Sequence, residues 1–371
     1  MLPNLHAKGH TGRQVNHQTG VSVRGYSLNN PEPQPGLYYC NKTPIHSSSI
    51  IYNHQSSYTM KSRVYRLQSA PLTCVFFLLF FTATYAQPSY PTDPDLAELH
   101  YTDLEHFTEA YHALQSANDT LEVLQTMYFD RATPGLREFI SKHQLTPELL
   151  KDAIEAHPER YALIPGLLEN IEELQRTHKA LMKKYATVLP GAMYAPTWLL
   201  VGANRGIGQA SRVGQLITVT RVTDDLNKLE KLMTHELSHF QQAMAMGPQK
   251  YGALYSTPNN MLGLCLREGG AEFITSLVLS DITQTKSLAF LEQNEKDLKT
   301  KFKADLNSQD MNYWMWNSLD QQDHPPLLGY VMGYKICAAY YDAAENKKDA
   351  LKAILKMENA EDFLIRSAYL E

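Results

Sequence analysis

Leu229-Glu230-Lys231-Leu232-Met233-Thr234-His235-Glu236-Leu237-Ser238-His239-Phe240 is the stretch from which the rest of the chain is read. Leu229, Leu232, Met233 and Phe240 recur at helical spacing, and the pattern predicts one long helix from about Asp224 to Met246, stopped by Gly247-Pro248. A helix advances by ~100° and ~1.5 Å per residue, so His235 and His239 stand about 40° and about 6 Å apart on one face, close enough to share a metal ion. Glu236 projects beside them, where a carboxylate reaches a metal-bound water without ligating the metal. The competing reading is a surface helix with casually placed histidines; the apolar residues on either side favour a buried helix that turns its polar groups toward a cleft.

A catalytic zinc takes three protein ligands and leaves a fourth position to water, so a third ligand is required. The best candidate is Glu268 in Arg267-Glu268-Gly269-Gly270-Ala271-Glu272-Phe273, which opens another apolar helix with Phe273, Ile274, Leu277 and Val278. Small residues at 269 to 271 are expected to let that helix come close to the histidine helix. The bland alternative is a helix N-terminus with favourable acidic charge. Glu272 is either the ligand instead or, as favoured here, the acceptor for a ring N–H of a metal-bound histidine.

His235-Glu236-x-x-His239 followed by Glu268-Gly269-Gly270-Ala271-Glu272 resembles the gluzincin zinc peptidases. More narrowly, the chain resembles a bacterial family of predicted secreted or lipid-anchored zinc proteases, some related to gliding-motility lipoproteins. The resemblance takes in Gly135-Leu136 and Leu328-Gly329-Tyr330-Val331-Met332-Gly333-Tyr334-Lys335. It implies bound Zn2+, a gluzincin-like core with an HExxH helix and a Glu-bearing helix, and a peptide or protein substrate. This sequence departs from the family at the second glycine of Glu-Gly-Gly-Ala-Glu, where a bulkier residue is commoner, and in lacking a lipidation cysteine after the signal.

The chemistry so implied is attack of zinc-activated water, with Glu236 as general base returning its proton to the leaving amine. Both histidines must be neutral to bind metal, so activity is expected to fall as pH drops through roughly 6.5. An oxyanion donor is sought near Tyr330 and Tyr334, four apart on a predicted helix, with His324 upstream and Tyr330 slightly preferred. Tyrosines at that spacing also serve simply as core, as do Trp314 and Trp316, for which core is favoured over a cleft lining.

Working outward, residues 94 to 189 read as helical, with breaks at Pro134-Gly135, Pro158 and Pro190-Gly191, and Thr146 as an N-cap before Pro147. Between Ala195 and Val222 the texture is β-rich, and two strands, Thr197–Val201 and Gln215–Thr220, joined by a long turn are the simplest account. Helices follow almost to the end. The fold class is therefore mainly α with a small β-sheet, α+β, in a helical part 87–190 and a catalytic part 191–371.

Gly202-Ala203-Asn204-Arg205-Gly206-Ile207-Gly208 resembles the glycine-rich turn of short-chain dehydrogenases, but no downstream Tyr is followed by Lys four residues later. A loop between strands near the cleft is preferred to a nucleotide-binding oxidoreductase. A non-catalytic envelope or scaffold protein that keeps the fold is the other alternative to an enzyme.

Residues 60–86 have the outline of a secretory signal: Lys61, Arg63 and Arg66, then the apolar run Cys74–Phe81, then Thr84-Tyr85-Ala86. The run is about half the roughly 20 residues that span a bilayer, so cleavage is favoured over a membrane anchor, and a secreted, periplasmic or envelope protein with no stable membrane span is expected. Residues 1–59, rich in Asn, Ser, His, Gly and Pro, read as a disordered extension ahead of the true start. Of four cysteines only Cys265 and Cys337 lie beyond the cleavage point, as one bridge or two buried thiols. A net charge of −5 with no basic stripe argues against nucleic-acid binding, and oligomeric state is not legible.

Overall fold

Threonine or aspartate followed by a helix start sets the rhythm of the N-terminal half. The computed structural model describes residues 90–204, 207–223, 225–256, 261–316 and 323–371; the segments 1–59 and 60–86 lie outside them. Seven helices come first: α1 (Thr102–Leu114), α2 (Thr120–Leu124, running into a π-turn), α3 (Pro134–His143), α4 (Pro147–Ala156), α5 (Pro158–Tyr161), α6 (Ile164–Glu169) and α7 (Ile171–Val188). The N-cap expected at Thr146 is present: its hydroxyl accepts from the Leu149 N–H at 3.2 Å, and Thr133 does the same for Leu136 at 3.3 Å. In both, proline fills the first helical position, where no N–H is missed.

The sheet has four strands, β1 (Leu99–His100), β2 (Thr197–Leu200), β3 (Gly208–Ser211) and β4 (Gly214–Thr218), in the order β1-β2-β4-β3. β1, β2 and β4 are parallel, while β3 folds back antiparallel on β4 and forms an edge. Two strands joined by a long turn were expected, and the structure corrects this. The second half of the turn is itself β3, whose Gly-Gln-Ala-Ser composition carries no apolar alternation to announce it. β1, inside a stretch expected to be helical, is only two residues long and is held by register with Thr197 and Trp198.

Eight helices follow: α8 (Leu226–Met246), α9 (Pro248–Ser256), α10 (Met261–Leu279), α11 (Thr285–Gln293), α12 (Glu295–Asp305), α13 (Leu328–Ala343), α14 (Lys347–Lys356) and α15 (Ala360–Ser367). α8 matches the expected helix within two residues. Asp225 caps it through the Asn227 N–H at 2.9 Å, and Gly247, at φ 91°, ends it. α10 begins well before the expected start, so Glu268 lies in mid-helix rather than at an opening turn. The glycines after it do not break the helix because α13 packs into the space they leave. A Cβ on Gly269 would overlap the Gly333 backbone, and one on Gly333 would overlap the Cys265 carbonyl oxygen. The close approach that the small residues allow at 269 is therefore to α13, not to the histidine helix. Gly270 does face α8, where a Cβ would stand 3.1 Å from Gln242 Nε2.

Two apolar cores result. The first joins α1–α7, the sheet and α8, with Ile274 of α10 and Leu355 of α14; the second joins the rest of α10–α15. The architecture is mainly helical with a small mixed sheet, as the sequence predicts. No described helix is long and apolar enough to cross a membrane. α8 and α10 run along the seam between the cores, and polar residues buried in their middle turns need partners there.

Candidate metal centre

His235 and His239, one turn apart on α8, and Glu268 on α10 converge in that seam, all buried. The His235 and His239 Nε2 atoms are 3.0 Å apart, and Glu268 Oε2 lies 3.0 Å from His239 Nε2 and 3.5 Å from His235 Nε2. Donors about 2.05 Å from a four-coordinate ion are separated by about 3.3 Å, so the triangle has the size of one facet of a metal tetrahedron. Two imidazoles and a carboxylate form a donor set that fits a divalent metal ion.

The electrostatics agree. Burial opposes a charge on His235, but the Glu268 and Glu272 carboxylates, with Glu236 behind, outweigh it and raise the imidazole to about 10. Burial likewise opposes ionisation of Glu268, yet the two histidines hold its carboxyl well below the usual carboxylate range. The carboxylates thus demand a positive charge at this point, which a metal ion or a proton on His235 supplies.

Each histidine is oriented from behind. His235 Nδ1 lies 3.2 Å from Glu272 Oε1, and Glu272 in turn accepts from the Thr283 N–H at 2.8 Å and from the Thr283 hydroxyl. Glu272 thus stands on the Nδ1 side of His235, away from the Nε2 atom that faces His239 and Glu268. His239 Nδ1 meets Gln242 Oε1 at 2.9 Å, and the Gln242 amide donates to the Arg267 carbonyl at 2.8 Å, tying His239 on α8 to the backbone beside Glu268 on α10. Further along α8, Gln241 exchanges hydrogen bonds with the Met193 backbone at 3.0 and 2.7 Å. Gln242 escaped the sequence reading although it sits three residues after His239, on the same helix face.

Glu236 is buried with its carboxylate against the Cα of Gly208, the first residue of the edge strand β3. Nothing in the sequence announces this contact, because β3 itself is not legible there. Tyr330, on α13, reaches the centre: its ring lies nearly parallel to that of His235, with centroids 6.1 Å apart. Tyr334 points elsewhere, toward Phe273, and His324 packs on Tyr313 at 4.2 Å. Trp314 is core, its Nε1 donating to Asp305 at 2.8 Å, and Trp316 packs half-buried on the second core. Cys265 and Cys337 form no bridge; both are free buried thiols, one against Met315 and the other against the Leu266 carbonyl. Tyr251, which the sequence reading passed over, approaches His239 at 6.5 Å between ring centroids.

The glycine-rich segment after β2 leads into β3, not into a helix, so it lacks the helix N-terminus that cradles a phosphate. No family model, curated protein or solved structure matches the chain.

Proposed function

We propose that the chain is a zinc-dependent hydrolase of the gluzincin kind, a peptidase in which Glu236 is the general base. One observation carries the reading: Glu236, on the helix that brings His235 and His239 into a His-His-Glu triangle of metal-ligand size, has its carboxylate against Gly208 of the edge strand β3. A sheet edge is where an extended peptide can bind as an added strand, with its backbone held by main-chain hydrogen bonds. A peptide on β3 would run past Glu236.

His235, His239 and Glu268 would hold Zn2+, with Glu272 and Gln242 fixing the imidazoles. Zinc in such a set polarises a carbonyl and lowers the pKa of water toward ~7. Glu236 takes the proton of the attacking water and returns it to the leaving amine. The Tyr330 hydroxyl, on the helix that packs against His235, donates to the oxyanion as it forms. The basic and apolar pattern of residues 60–86 supports action outside the cytoplasm, in a secreted or envelope-located mature chain.

The test is Glu236→Gln in the mature protein. Wild type should carry one equivalent of zinc by elemental analysis and cleave members of a peptide library. The variant should keep the zinc and lose about 10²–10⁴ in rate. If both proteins turn over every substrate equally, or neither cleaves any, Glu236 is not the base of a peptidase.

A further inference from the structure

Away from the His-His-Glu triangle, one cationic side chain is half inside the protein, and among the described residues no carboxylate is paired with it. Arg221 ends the 3-10 turn Val219–Arg221 that follows β4, and its Nη1 is buried without a hydrogen-bond partner. Burial, and then the like charge of Arg160 on α5, work against its ionised form. Arg160 donates from Nη1 to Asn204 Oδ1 at 3.3 Å, and its paired carboxylate is the well-exposed Glu159, its own neighbour in sequence, at 3.7 Å. Both guanidinium groups bear on Tyr161, whose hydroxyl is already committed to the Gly202 carbonyl at 2.8 Å. Among the described residues no carboxylate is paired with Arg221, and none but Glu159 with Arg160.

The turn that ends in Arg221 packs against α5, which carries the mostly covered Arg160, so two like charges partly withdrawn from water face each other across that contact and lose hydration. An anion between them relieves both costs, and a carboxylate suits best because its two oxygens match the planar fork of arginine. Gly202, Asn204 and Arg221 all follow the carboxyl ends of the parallel strands β2 and β4, the end of a sheet where ligands commonly lodge. β3 begins at that same end, because it runs antiparallel to β4 with Gly208 opposite Ile217. The arginine pair and Glu236 therefore share one end of the sheet. A nucleotide phosphate fits less well, since no helix N-terminus follows β2.

We infer that Arg160 and Arg221 form a carboxylate-binding subsite at the carboxyl end of the sheet, which takes an acidic side chain or the free C-terminal carboxylate of a peptide laid along β3. The peptide part rests on the hydrolase reading above; the anion part rests on the two arginines alone.

The test measures binding in the Glu236→Gln background, so that turnover does not intervene. Four acetylated hexapeptides are titrated: central Glu or central Gln, each with an amidated or a free C-terminus. At least one charged member should bind about tenfold tighter than the uncharged peptide, a factor typical of one charge-assisted contact. Which member does so tells a side-chain carboxylate from a terminal one. Arg221→Gln should abolish the preference, Arg221→Lys should keep part of it, and the more peripheral Arg160→Gln should weaken it. Circular dichroism checks the fold, with Arg160→Gln as the informative variant should Arg221→Gln misfold. Equal binding of all four peptides, no binding of any, or a preference untouched by either glutamine variant overturns the inference. Charge-dependent binding without hydrolysis by the wild type would overturn only the peptidase.

Discussion

Gly208 and Glu236 touch through a side chain that is not there: the Cβ of any other residue at 208 would stand 2.6 Å from Oε1 and 2.8 Å from Cδ of Glu236. The edge strand can lie beside Glu236 because its first residue is glycine. Gly208→Ala must therefore shift the strand or swing the carboxylate. A displacement of ~1 Å at a reacting group costs about 10²-fold in rate, while overpacking by one methyl costs about 1–3 kcal/mol. Peptide hydrolysis should fall by about that rate factor, with zinc content unchanged, since the nearest atoms to a Cβ at 208 all belong to Glu236 and not to His235, His239 or Glu268. A Gly208→Ala protein with wild-type kcat and KM would show that this contact positions nothing.

Gln242 links His239 to the backbone beside Glu268, and its removal should be read in the metal rather than in the fold. Gln242→Leu deprives His239 Nδ1 of its acceptor at 2.9 Å and the Arg267 carbonyl of its donor at 2.8 Å. Loss of such a supporting partner typically weakens metal affinity 10–100-fold. Competition with a chelator should show that loss for Gln242→Leu and a smaller one for Gln242→Glu, which keeps the acceptor. Identical affinities in all three proteins would assign Gln242 to packing alone.

The residues that form the triangle were legible because their spacing lies within one helix, and helical geometry fixes what four residues of separation mean. Glu268 was legible by chemistry, as the third ligand that a zinc ion on the two histidines would need, but its helix was not. Gly269-Gly270 look like a helix opening until α13 is seen filling the groove they leave. β3 was illegible because it is defined by pairing with β4 and by glycine contact with Glu236, neither of which leaves an apolar alternation. The arginine pair escaped for the same reason: residues 160 and 221 meet only once the sheet has been assembled.

His178 should give the protein a pH-dependent stability that has nothing to do with metal. It is buried on α7, beside the Thr197 hydroxyl at 3.3 Å, and burial pushes its imidazole down to about 4. In the unfolded chain the ring titrates near ~6.5. Between these values the unfolded state binds the extra proton, so the stability is full above about 6.5 and is lost as pH falls toward about 4. Across that window the loss amounts to about 1.4 kcal/mol per pH unit. Carboxylates titrate there too, so the quantity to read is the difference from His178→Gln. The Tm of the wild type should fall more steeply than that of the variant between pH 6.5 and 4.5, and parallel curves would mean that His178 is hydrated or already charged in the folded state.

The crossing of α10 and α13 ties the fold to the centre, because α10 carries Glu268 and α13 carries Tyr330. Their backbones meet where Gly269 and Cys265 face Gly333, and Gly329 fits under the Cys265 thiol, where a Cβ would stand 2.7 Å from Sγ. Carbonyl oxygens and backbone atoms line this contact, so a methyl group cannot be accommodated by turning a flexible side chain aside. Gly333→Ala should drive the helices apart at a cost of about 1–3 kcal/mol or more, lowering Tm by several degrees. Because Glu268 is one residue from the crossing, the displacement should also weaken metal retention, which a chelator competition would detect. Gly166 in α6 is the control, since nothing lies within 4 Å of a Cβ placed there. Gly166→Ala should stabilise by about 0.5–1 kcal/mol through helix propensity and leave metal affinity alone. If Gly333→Ala behaves as Gly166→Ala does, the two helices are not held by this contact, and Glu268 owes its place to α8 and its supporting hydrogen bonds.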